Sequence, residues 1–475
     1  MRALSVPGGP APGVDRLAED LAALRSAWRV PGVGVTVVHG DEAAVLVDGA
    51  REVMTGAPLT PRTLFPLGSL TKSLIAALIA GLVDRGATGW ETRHLTAVLP
   101  HGAPPDGYTL TQLLTHASGL PTYDMLLAGC ADTSPGEAAR GRLPHLVTVH
   151  PPGGARFSYS DLAYLMACHV AEETAGRPWH RLTADFLADL AGRGTQPGPA
   201  EDVAHACEPG PEQGFTDTGP PRLPGLSAAI SGVWASAEDM VTLLRFHLYG
   251  DGRRGRLLDH RSLEHLRIPR TPAPTTSANH PACVTAEGYG HGWLVGRYQG
   301  DRVLVHSSSV GALRGMTVVL PERQVAVNVF CNSGVRHSPG RLHCCFRCAV
   351  AFSLVDALSG GQNDLACRLP AGEPERMAGP APGQPADPRT LPGLVGAYHH
   401  PGFGSVRLVP DAHGTGALFR YGPVEGPVRR DARGTLFTTC PAVPGPVAIS
   451  QVGTDRVVVR MERAVPAFEF TRTAD

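Results

Sequence analysis

The stretch "GSLTK" (68–72) and the apolar run "LIAALIAGLV" (74–83) after it predict the start of a long buried helix. Ser69 stands just before this helix, where a serine ordinarily caps the first turn. Lys72 lies one turn further along, on the same face. It is the only lysine in 475 residues, and arginine supplies every other fixed positive side chain. A cation in the first turn opposes the helix dipole, so Lys72 does not serve the helix itself.

Proton transfer is a task that lysine can perform and arginine cannot. The guanidinium of arginine stays protonated, whereas the amine of a buried lysine can accept a proton. A serine three residues before such a lysine is a candidate nucleophile with its own base. The Ser-x-x-Lys pattern is common by chance, but here it uses the single lysine at the start of the most apolar helix. It therefore indicates an acyl-transfer site at Ser69 and Lys72.

Two other stretches offer the further groups that acyl transfer requires. "FSYSDLAYLMACHV" (157–170) places Tyr159 and Asp161 on a loop just before an apolar helix, and "LVHSSSVGALRGM" (304–316) places small polar residues between two strands. Taken singly, these are explained equally well as an aromatic residue at a loop–helix junction and a serine-rich turn with a surface histidine. Taken together, they favour a second proton carrier and a backbone oxyanion hole.

Composition excludes several classes of function. The formal net charge is −1, so there is no basic surface field for nucleic acid. No run of about 18 apolar residues occurs, and no membrane span is expected. The N-terminal "MRALSVPGGPAPGVDRL" lacks the apolar region of a secretory signal. Ten cysteines in such a chain are typical of reduced thiols, and we expect a cytoplasmic location.

The cluster "HCCFRC" (343–348) suggests either a metal site or core packing. It lies in a stretch with helical character and has no distant second pair of ligands. Core packing is the favoured interpretation, and we expect neither a metal nor a cofactor.

The order of predicted elements indicates an α+β fold for residues 1–360. A helix is predicted over 14–28, followed by two strands with a turn at His39–Glu42. Two more strands are predicted within 312–333, and a final helix runs to about Leu358. Strands at both ends of this region, with helical stretches between them, predict an antiparallel sheet covered by helices and joined to a helical subdomain.

The rest of the chain has a different character. Residues 361–392 are rich in proline and glycine and predict a linker. Residues 393–475 show short alternating segments, among them "SVRLV", "GALFRY" and "VAISQV", which predict a small antiparallel barrel or sandwich. Its aromatic residues Tyr398, Phe403 and Phe419 are predicted to form the core.

Residues 15–358 resemble the class C β-lactamase superfamily, which includes penicillin-recognising D,D-peptidases, esterases and acyltransferases. That branch carries Ser-x-x-Lys, Tyr-x-Asn and a Lys/His-x-Gly strand, and this sequence has "SLTK" (69–72), "YSD" (159–161) and "HSS" (306–308). The surrounding stretches that match are "LTQLLTHASGLPTY" (110–123), "ISGVWASAEDMVTLLRF" (230–246), "YGHGW" (289–293) and "VNVFCNS" (327–333). Residues 393–475 are similar to the lipocalin-like domain attached to several serine hydrolases of this group.

The resemblance implies a role for each matched residue. Ser69 would be the acylated nucleophile, Lys72 would share its proton, and Tyr159 would be the general base or acid. The backbone N–H groups of Ser69 and Ser309 would form the oxyanion hole. The substrate-binding residues would be Asp161, His306, Ser307 and Ser308.

Three of these positions depart from the usual pattern of the superfamily. Asp161 replaces an asparagine, and a carboxylate accepts hydrogen bonds without donating any. His306 stands where β-lactamases carry lysine, and a neutral imidazole is a poorer partner for a substrate carboxylate. Ser308 replaces a glycine, and its side chain is expected to narrow the cleft.

These features predict a cytoplasmic serine hydrolase of the esterase or amidase type, acting on a small-molecule or peptide acyl substrate. The first alternative is a transacylase or peptide cyclase of natural-product biosynthesis, similar to penicillin-binding-protein-type thioesterases. The second alternative is a non-catalytic binding protein with the same fold. Neither a nucleic-acid partner nor a membrane is expected.

Overall fold

The structure is a computed structural model, and it describes residues 2–5, 14–130, 134–149, 156–190, 201–209, 214–223, 225–273, 281, 283–334, 345–359, 383–390, 393–439, 446–461 and 465–473. The helices are α1 (Val14–Ala27), α2 (Thr71–Asp84), α3 (Leu110–Leu114), α4 (Asp124–Gly129), α5 (Pro135–Arg142), α6 (Asp161–Ala175), α7 (Trp179–Ala188), α8 (Ser227–Ser231), α9 (Met240–Tyr249), α10 (His260–Leu266) and α11 (Phe346–Leu358).

The strands of the larger sheets and their neighbours are β1 (Arg2–Ser5), β2 (Gly32–His39), β3 (Glu42–Gly49), β4 (Leu64–Pro66), β5 (Arg93–His94), β6 (Tyr108–Thr109), β7 (Cys207–Pro209), β8 (Phe215–Asp217), β9 (Trp234–Ser236), β10 (Asp251–Gly252), β11 (Gly255–Arg256), β12 (Thr285–Tyr289), β13 (Leu294–Tyr298), β14 (Asp301–Val310), β15 (Leu313–Leu320) and β16 (Val325–Cys331). The C-terminal strands are β17 (Gln384–Pro385), β18 (Gly396–His400), β19 (Gly404–Pro410), β20 (Ala417–Tyr421), β21 (Val424–Arg430), β22 (Leu436–Thr438), β23 (Val447–Val452), β24 (Arg456–Arg460) and β25 (Phe468–Arg472).

The chain divides into two compact units. The first unit consists of Met1–Thr88, His180–Arg222 and Ser231–Met377. The second unit consists of Gly89–Trp179, Leu223–Ile230 and Ala378–Asp475.

The first unit is built on one antiparallel sheet in the order β1-β3-β2-β16-β15-β14-β13-β12. The predicted hairpin at His39–Glu42 is confirmed, since β2 and β3 pair from His39 and Glu42 outward. The predicted pair of strands within 312–333 is also confirmed as β15 and β16. Val-rich alternation explains both pairs, because β-branched side chains pack well on a pleated surface.

The two faces of this sheet differ in chemistry. One face packs valines of the central strands, such as Val35 and Val327, against α1 and α11, where Trp28 meets Phe346. The opposite face carries a buried row of polar side chains that are register partners across four adjacent strands. This row consists of Thr36, Asn328, Thr317 and His306.

The C-terminal part of the second unit is a closed eight-stranded barrel, β18 to β25, with β21 pairing β22 to complete the ring. Buried and exposed residues alternate along β19 to β21, as a barrel with one packed face requires. The predicted core residues Tyr398, Phe403 and Phe419 are each at most 1% exposed, which confirms that prediction. Two strands of the barrel, β18 and β21, were not predicted from the sequence.

Most of the predicted linker, residues 361–382 together with 391 and 392, lies outside the described residues. Within its described part, Gln384–Pro385 forms β17 and pairs with β21. No helix among the described residues is both long enough and apolar enough to cross a bilayer.

Candidate active site

Ser69 lies in a single 3-10 turn (Gly68–Leu70) that leads directly into α2. The ordinary explanation of Ser69 as a helix cap is wrong, because neither the turn nor α2 has a side-chain cap. Lys72 is 0% exposed, and its Nζ donates a hydrogen bond of 3.3 Å to Ser69 Oγ. The only lysine of the chain is therefore buried beneath a partly exposed serine hydroxyl, as the spacing predicted.

The turn that carries Ser69 is packed against the C-terminal end of β14. Gly68 has φ +53°, and a Cβ at this position would lie 3.0 Å from Val310 Cγ2 and 3.2 Å from Ser308 Cβ. The backbone nitrogen of Ser309 lies 3.6 Å from the same point. The backbone of Ser309 thus lies beside the Ser69 turn, which is the arrangement that a two-donor oxyanion hole needs.

A second glycine presses on the backbone of Lys72. A Cβ at Gly292 would lie 2.7 Å from Ser73 Cα and 3.0 Å from the Lys72 carbonyl oxygen. The Ser73 hydroxyl donates to the Leu70 carbonyl at 2.8 Å and lies 3.2 Å from His247 Nε2. The first turn of α2 is therefore fixed from two sides.

His306 is buried in β14, with 6% of its surface exposed. Its Nδ1 lies 3.0 Å from the Ser307 carbonyl oxygen, which only accepts, so Nδ1 carries the proton. Its Nε2 lies 3.2 Å from the Tyr289 hydroxyl and accepts from it. Burial, aided by the charge of Lys72, lowers the pKa of His306 to about 3. The imidazole is neutral at pH 7.

The serines after His306 lie within β14, so the interpretation as a turn is wrong. Ser308 is buried, and a Cβ on its cross-strand partner Gly315 would come 2.5 Å from Ser308 Oγ. Glycine at both Gly68 and Gly315 therefore makes room for this serine. Ser307 is half-buried, and Ser309 is exposed.

Tyr159 and Asp161 belong to the second unit, and His116 organises the loop that carries them. The ring of His116 lies 4.3 Å from the Tyr159 ring, and its Nδ1 accepts from the Ser160 backbone N–H at 3.0 Å. Ser160 caps α6 by accepting from Ala163 N at 2.9 Å. Asp161 is the first residue of α6, and Tyr159 is 37% exposed.

The first unit thus brings together Ser69, Lys72, His306 and the serines after it. The second unit places Tyr159 on the loop before α6 and Asp161, which was predicted on that loop, in the first turn of α6. The sequence reading assigned no role to Tyr289, Gly292 or His116. The stretches 289–293 and 110–123, which match the superfamily, contain all three residues and are the signal that points to them. These residues act through contacts distant in sequence, which motif spacing does not predict.

One group among the described residues has the geometry to hold a metal ion, and it lies in the first unit. Potential ligand atoms of Glu52, His205 and Asp217 all lie within 4.8 Å of one another. His205 Nδ1 lies 3.0 Å from Asp217 Oδ1, so two of the three groups are already partners of each other.

Comparison with known proteins identifies the family and supports the fold. A family model described as Beta-lactamase matches residues 14–343. The unguisins hydrolase ungD' of Aspergillus campestris is 24% identical over 323 residues, which cover 63% of this chain and 58% of that protein. Penicillin-binding protein 4 of Amycolatopsis lactamdurans is 27% identical over 67% of this chain and 85% of its own length.

A similar solved structure extends the likeness to nearly the whole chain. The octameric penicillin-binding protein homologue from Pyrococcus abyssi has a TM-score of 0.60 and 19% identity, and covers 96% of this chain and 100% of its own. At this identity the match supports the fold alone.

Proposed function

The chain belongs to the beta-lactamase family of serine hydrolases, and from this premise we propose that it forms an acyl-enzyme on Ser69 from an ester, thioester or amide. The observation that carries the proposal is the hydrogen bond of 3.3 Å from the fully buried Lys72 Nζ to Ser69 Oγ. A desolvated amine next to a serine hydroxyl is suited to proton exchange with it.

In the proposed first step, Ser69 Oγ attacks the substrate carbonyl and passes its proton to Lys72. The backbone N–H groups of Ser69 and Ser309 stabilise the oxyanion, a contribution worth roughly 10²–10³ in rate for each donor. Tyr159 then protonates the leaving group and later activates the nucleophile that releases the acyl group.

The chemistry at His306 favours a substrate that is neutral where it meets β14. The imidazole is uncharged, and its two ring nitrogens are both engaged by protein atoms. A substrate carboxylate would therefore find no cationic partner in this side chain. We propose esters and amides in preference to β-lactams.

Hydrolysis is the leading form of the proposal, and the hydrolase named among the relatives supports it. Transfer to an amine or alcohol is the second candidate. The C-terminal barrel motivates this candidate, because residues 393–475 resemble the domain attached to penicillin-binding-protein-type thioesterases that cyclise peptides. The barrel packs on the helical segment of the second unit, where Arg142 donates to the Gly402 carbonyl at 3.1 Å.

We further propose a cytoplasmic location and a small-molecule or peptide substrate, with no nucleic-acid or membrane partner. Cys130, Cys207 and Cys331 are among the cysteines that are free thiols in the structure, in keeping with a reducing compartment. Cell fractionation tests the location.

A fluorophosphonate probe tests the central proposal. We expect the wild-type protein to be labelled, and Ser69→Ala to lose labelling completely. Lys72→Arg keeps the charge but cannot give up a proton, so it should label at least about 100-fold more slowly. Ser26→Ala on α1 is the matched control and should label like wild type.

A folded wild-type protein that stays unlabelled would favour the non-catalytic alternative and contradict the proposal. The acceptor is decided separately, by mixing a trapped acyl-enzyme with amines in water. If water releases the acyl group at every amine concentration, transfer is excluded.

A further inference from the structure

Two cysteines at the start of α11 lie close enough to react with each other. Cys345 is the N-cap residue of α11, and Cys348 is three residues further on. Their sulfur atoms are 3.0 Å apart. A disulfide bond is about 2.05 Å long, so closure requires the sulfurs to approach by roughly 1 Å. The spacing is that of the Cys-x-x-Cys pairs of redox-active proteins.

The surroundings distinguish this pair from a third thiol nearby. Cys331 is also buried, and burial raises its pKa to about 12, so it stays protonated. Cys345 and Cys331 both line a small cleft with Arg314 and Arg347, but Cys345 is the more exposed of the two, at 7% against 2%. An oxidant that enters this cleft meets Cys345 before Cys348, which is only 1% exposed.

Arg347 stands between the two cysteines in sequence and is 4% exposed. Burial alone would lower the pKa of Arg347, but charge interactions with the sulfurs of Cys345 and Cys348 raise it. The interaction is mutual, so the guanidinium stabilises negative charge on these sulfurs. A thiolate is the form that attacks a disulfide.

Arg347 also contacts the strand that carries the proposed oxyanion hole. Its NH1 donates to the Ser308 carbonyl at 2.6 Å and to the Gly315 carbonyl at 3.2 Å. The Ser308 carbonyl and the Ser309 N–H belong to one peptide group. A shift of Arg347 therefore acts directly on the backbone donor at Ser309.

We propose that Cys345 and Cys348 are a reversible redox modification site, and that their disulfide weakens the oxyanion hole through Arg347. The oxidant is a low-molecular-weight disulfide. The Cys345 thiolate attacks it, forming a mixed disulfide and releasing one thiolate. The Cys348 thiolate then attacks Cys345 Sγ and releases the second. Two cysteine thiols lose two electrons and two protons, and the oxidant becomes two thiols.

The disulfide itself is tested without any activity measurement. Trypsin cuts after Arg347 and separates peptides 342–347 and 348–368, so a Cys345–Cys348 disulfide joins them. After treatment with glutathione disulfide we expect the joined pair in the mass spectrum, and its loss after reduction. Cys344 and Cys367 lie on the same two peptides, so the experiment is repeated with both changed to serine. Absence of the joined pair in that background overturns the proposal.

The effect on the site rests on the proposed function and is measured as the rate of Ser69 labelling. Oxidation should slow labelling about tenfold, part of the value of one oxyanion donor, and reduction should restore it. Cys345→Ser and Cys345→Ala lack the attacking thiol, so they should label like reduced wild type with or without the oxidant, and Cys168→Ser on α6 should respond to the oxidant like wild type. If the disulfide-linked peptides appear but the rate of Ser69 labelling is unchanged, the proposed effect of the disulfide on the Ser309 donor is wrong. A reduced protein that never labels contradicts the proposed function instead, whatever the peptide map shows.

Discussion

His306 shows how one side chain can set the chemistry of a site while remaining almost inaccessible. Its Nδ1 donates a hydrogen bond to the Ser307 carbonyl, and its Nε2 accepts one from the Tyr289 hydroxyl. The ring is further packed edge-on against Trp293 at 6.2 Å. Tautomer and orientation are therefore both determined by the protein, so we treat Tyr289 as a positioning residue for β14.

Tyr289→Phe should perturb the site with little change in packing. The variant leaves a buried acceptor on His306 without its donor, which costs about 1–3 kcal/mol of stability. We expect a lower midpoint of unfolding, a shifted ring-nitrogen NMR signal for His306 and slower Ser69 labelling. Tyr249→Phe removes a hydroxyl bonded to Gly40 at the β2–β3 hairpin and is the control. Equal effects of the two variants would contradict a positioning role.

Three buried histidines should make the stability of the protein fall in acid. Burial lowers the pKa of His247, His291 and His306 to about 3 each. Between about pH 6.5 and 3 the unfolded chain binds protons that the folded chain does not, so stability is complete above 6.5 and falls as pH drops. Each histidine contributes about 1.4 kcal/mol per pH unit within this window.

The test is thermal unfolding between pH 7 and 4. His306→Gln should reduce the loss of stability by about 1.4 kcal/mol per pH unit, the contribution of one histidine. His180→Gln, on the exposed part of α7, should leave the pH dependence of stability unchanged. A pH-independent midpoint for the wild-type protein would show that these rings are not held neutral.

At the scale of elements, the proposed catalysis requires a close approach of the Ser69 turn to β14. Gly68 allows this approach in two ways. It adopts φ +53°, which other residues rarely do, and it has no side chain to meet Val310 and Ser308. The family pattern has glycine at position 308, whereas the Ser308 side chain here occupies part of the space between the turn and β14. Little room is therefore left for a side chain at position 68.

Gly68→Ala should therefore push β14 away from the turn. We expect Ser69 labelling to fall about 100-fold, since the Ser309 donor would move, and stability to fall by about 1–3 kcal/mol. Gly86→Ala is the control, because Gly86 also has a positive φ, +71°, but a Cβ there would meet nothing within 4 Å. Adding Ser308→Gly to Gly68→Ala should recover part of the labelling rate. Without such recovery, steric pressure on Ser308 is not the cause.

The elements that could be predicted from the sequence are those whose pattern is local. The β2–β3 hairpin and α2 follow from valine alternation and from a continuous apolar run. The strand β21 was missed because Pro427 and Gly426 interrupt its alternation, although its buried residues still point into the barrel. The roles of His116 and Arg347 depend on partners 44 and 39 residues away, which no local pattern reveals.

At the scale of the whole molecule, the barrel braces the helical segment of the second unit. Phe403 of the barrel packs on Tyr123 at 5.6 Å, and the Asp161 backbone N–H donates to Thr122 Oγ1 at 3.4 Å. The Ser160 hydroxyl donates to the Pro121 carbonyl at 2.8 Å. Residues 121–123 thus connect the barrel to the loop that holds Tyr159, which gives the barrel a role in ordering a proposed proton carrier.

Gly129 is the point at which this bracing can be tested. A Cβ on Gly129 would lie 2.1 Å from the ring of Tyr421, and the ring is fixed because its hydroxyl donates to the Phe403 carbonyl at 2.6 Å. Gly129→Ala should therefore separate α4 from the barrel, at a cost of about 1–3 kcal/mol, and increase hydrogen exchange at Ser158–Asp161.

Gly141→Ala on α5 is the matched control, since it is also a helical glycine but a Cβ there would meet nothing within 4 Å. It should be neutral or slightly stabilising, because alanine favours a helix. Combining Gly129→Ala with Tyr421→Ala should cost less than the sum of the two single changes, because the second removes the atoms that the first would strike. Additive costs of Gly129→Ala and Tyr421→Ala, or equal effects of the two glycine variants, would mean that the barrel does not support the helical segment. The contact with His116 would then be what orders the Tyr159 loop.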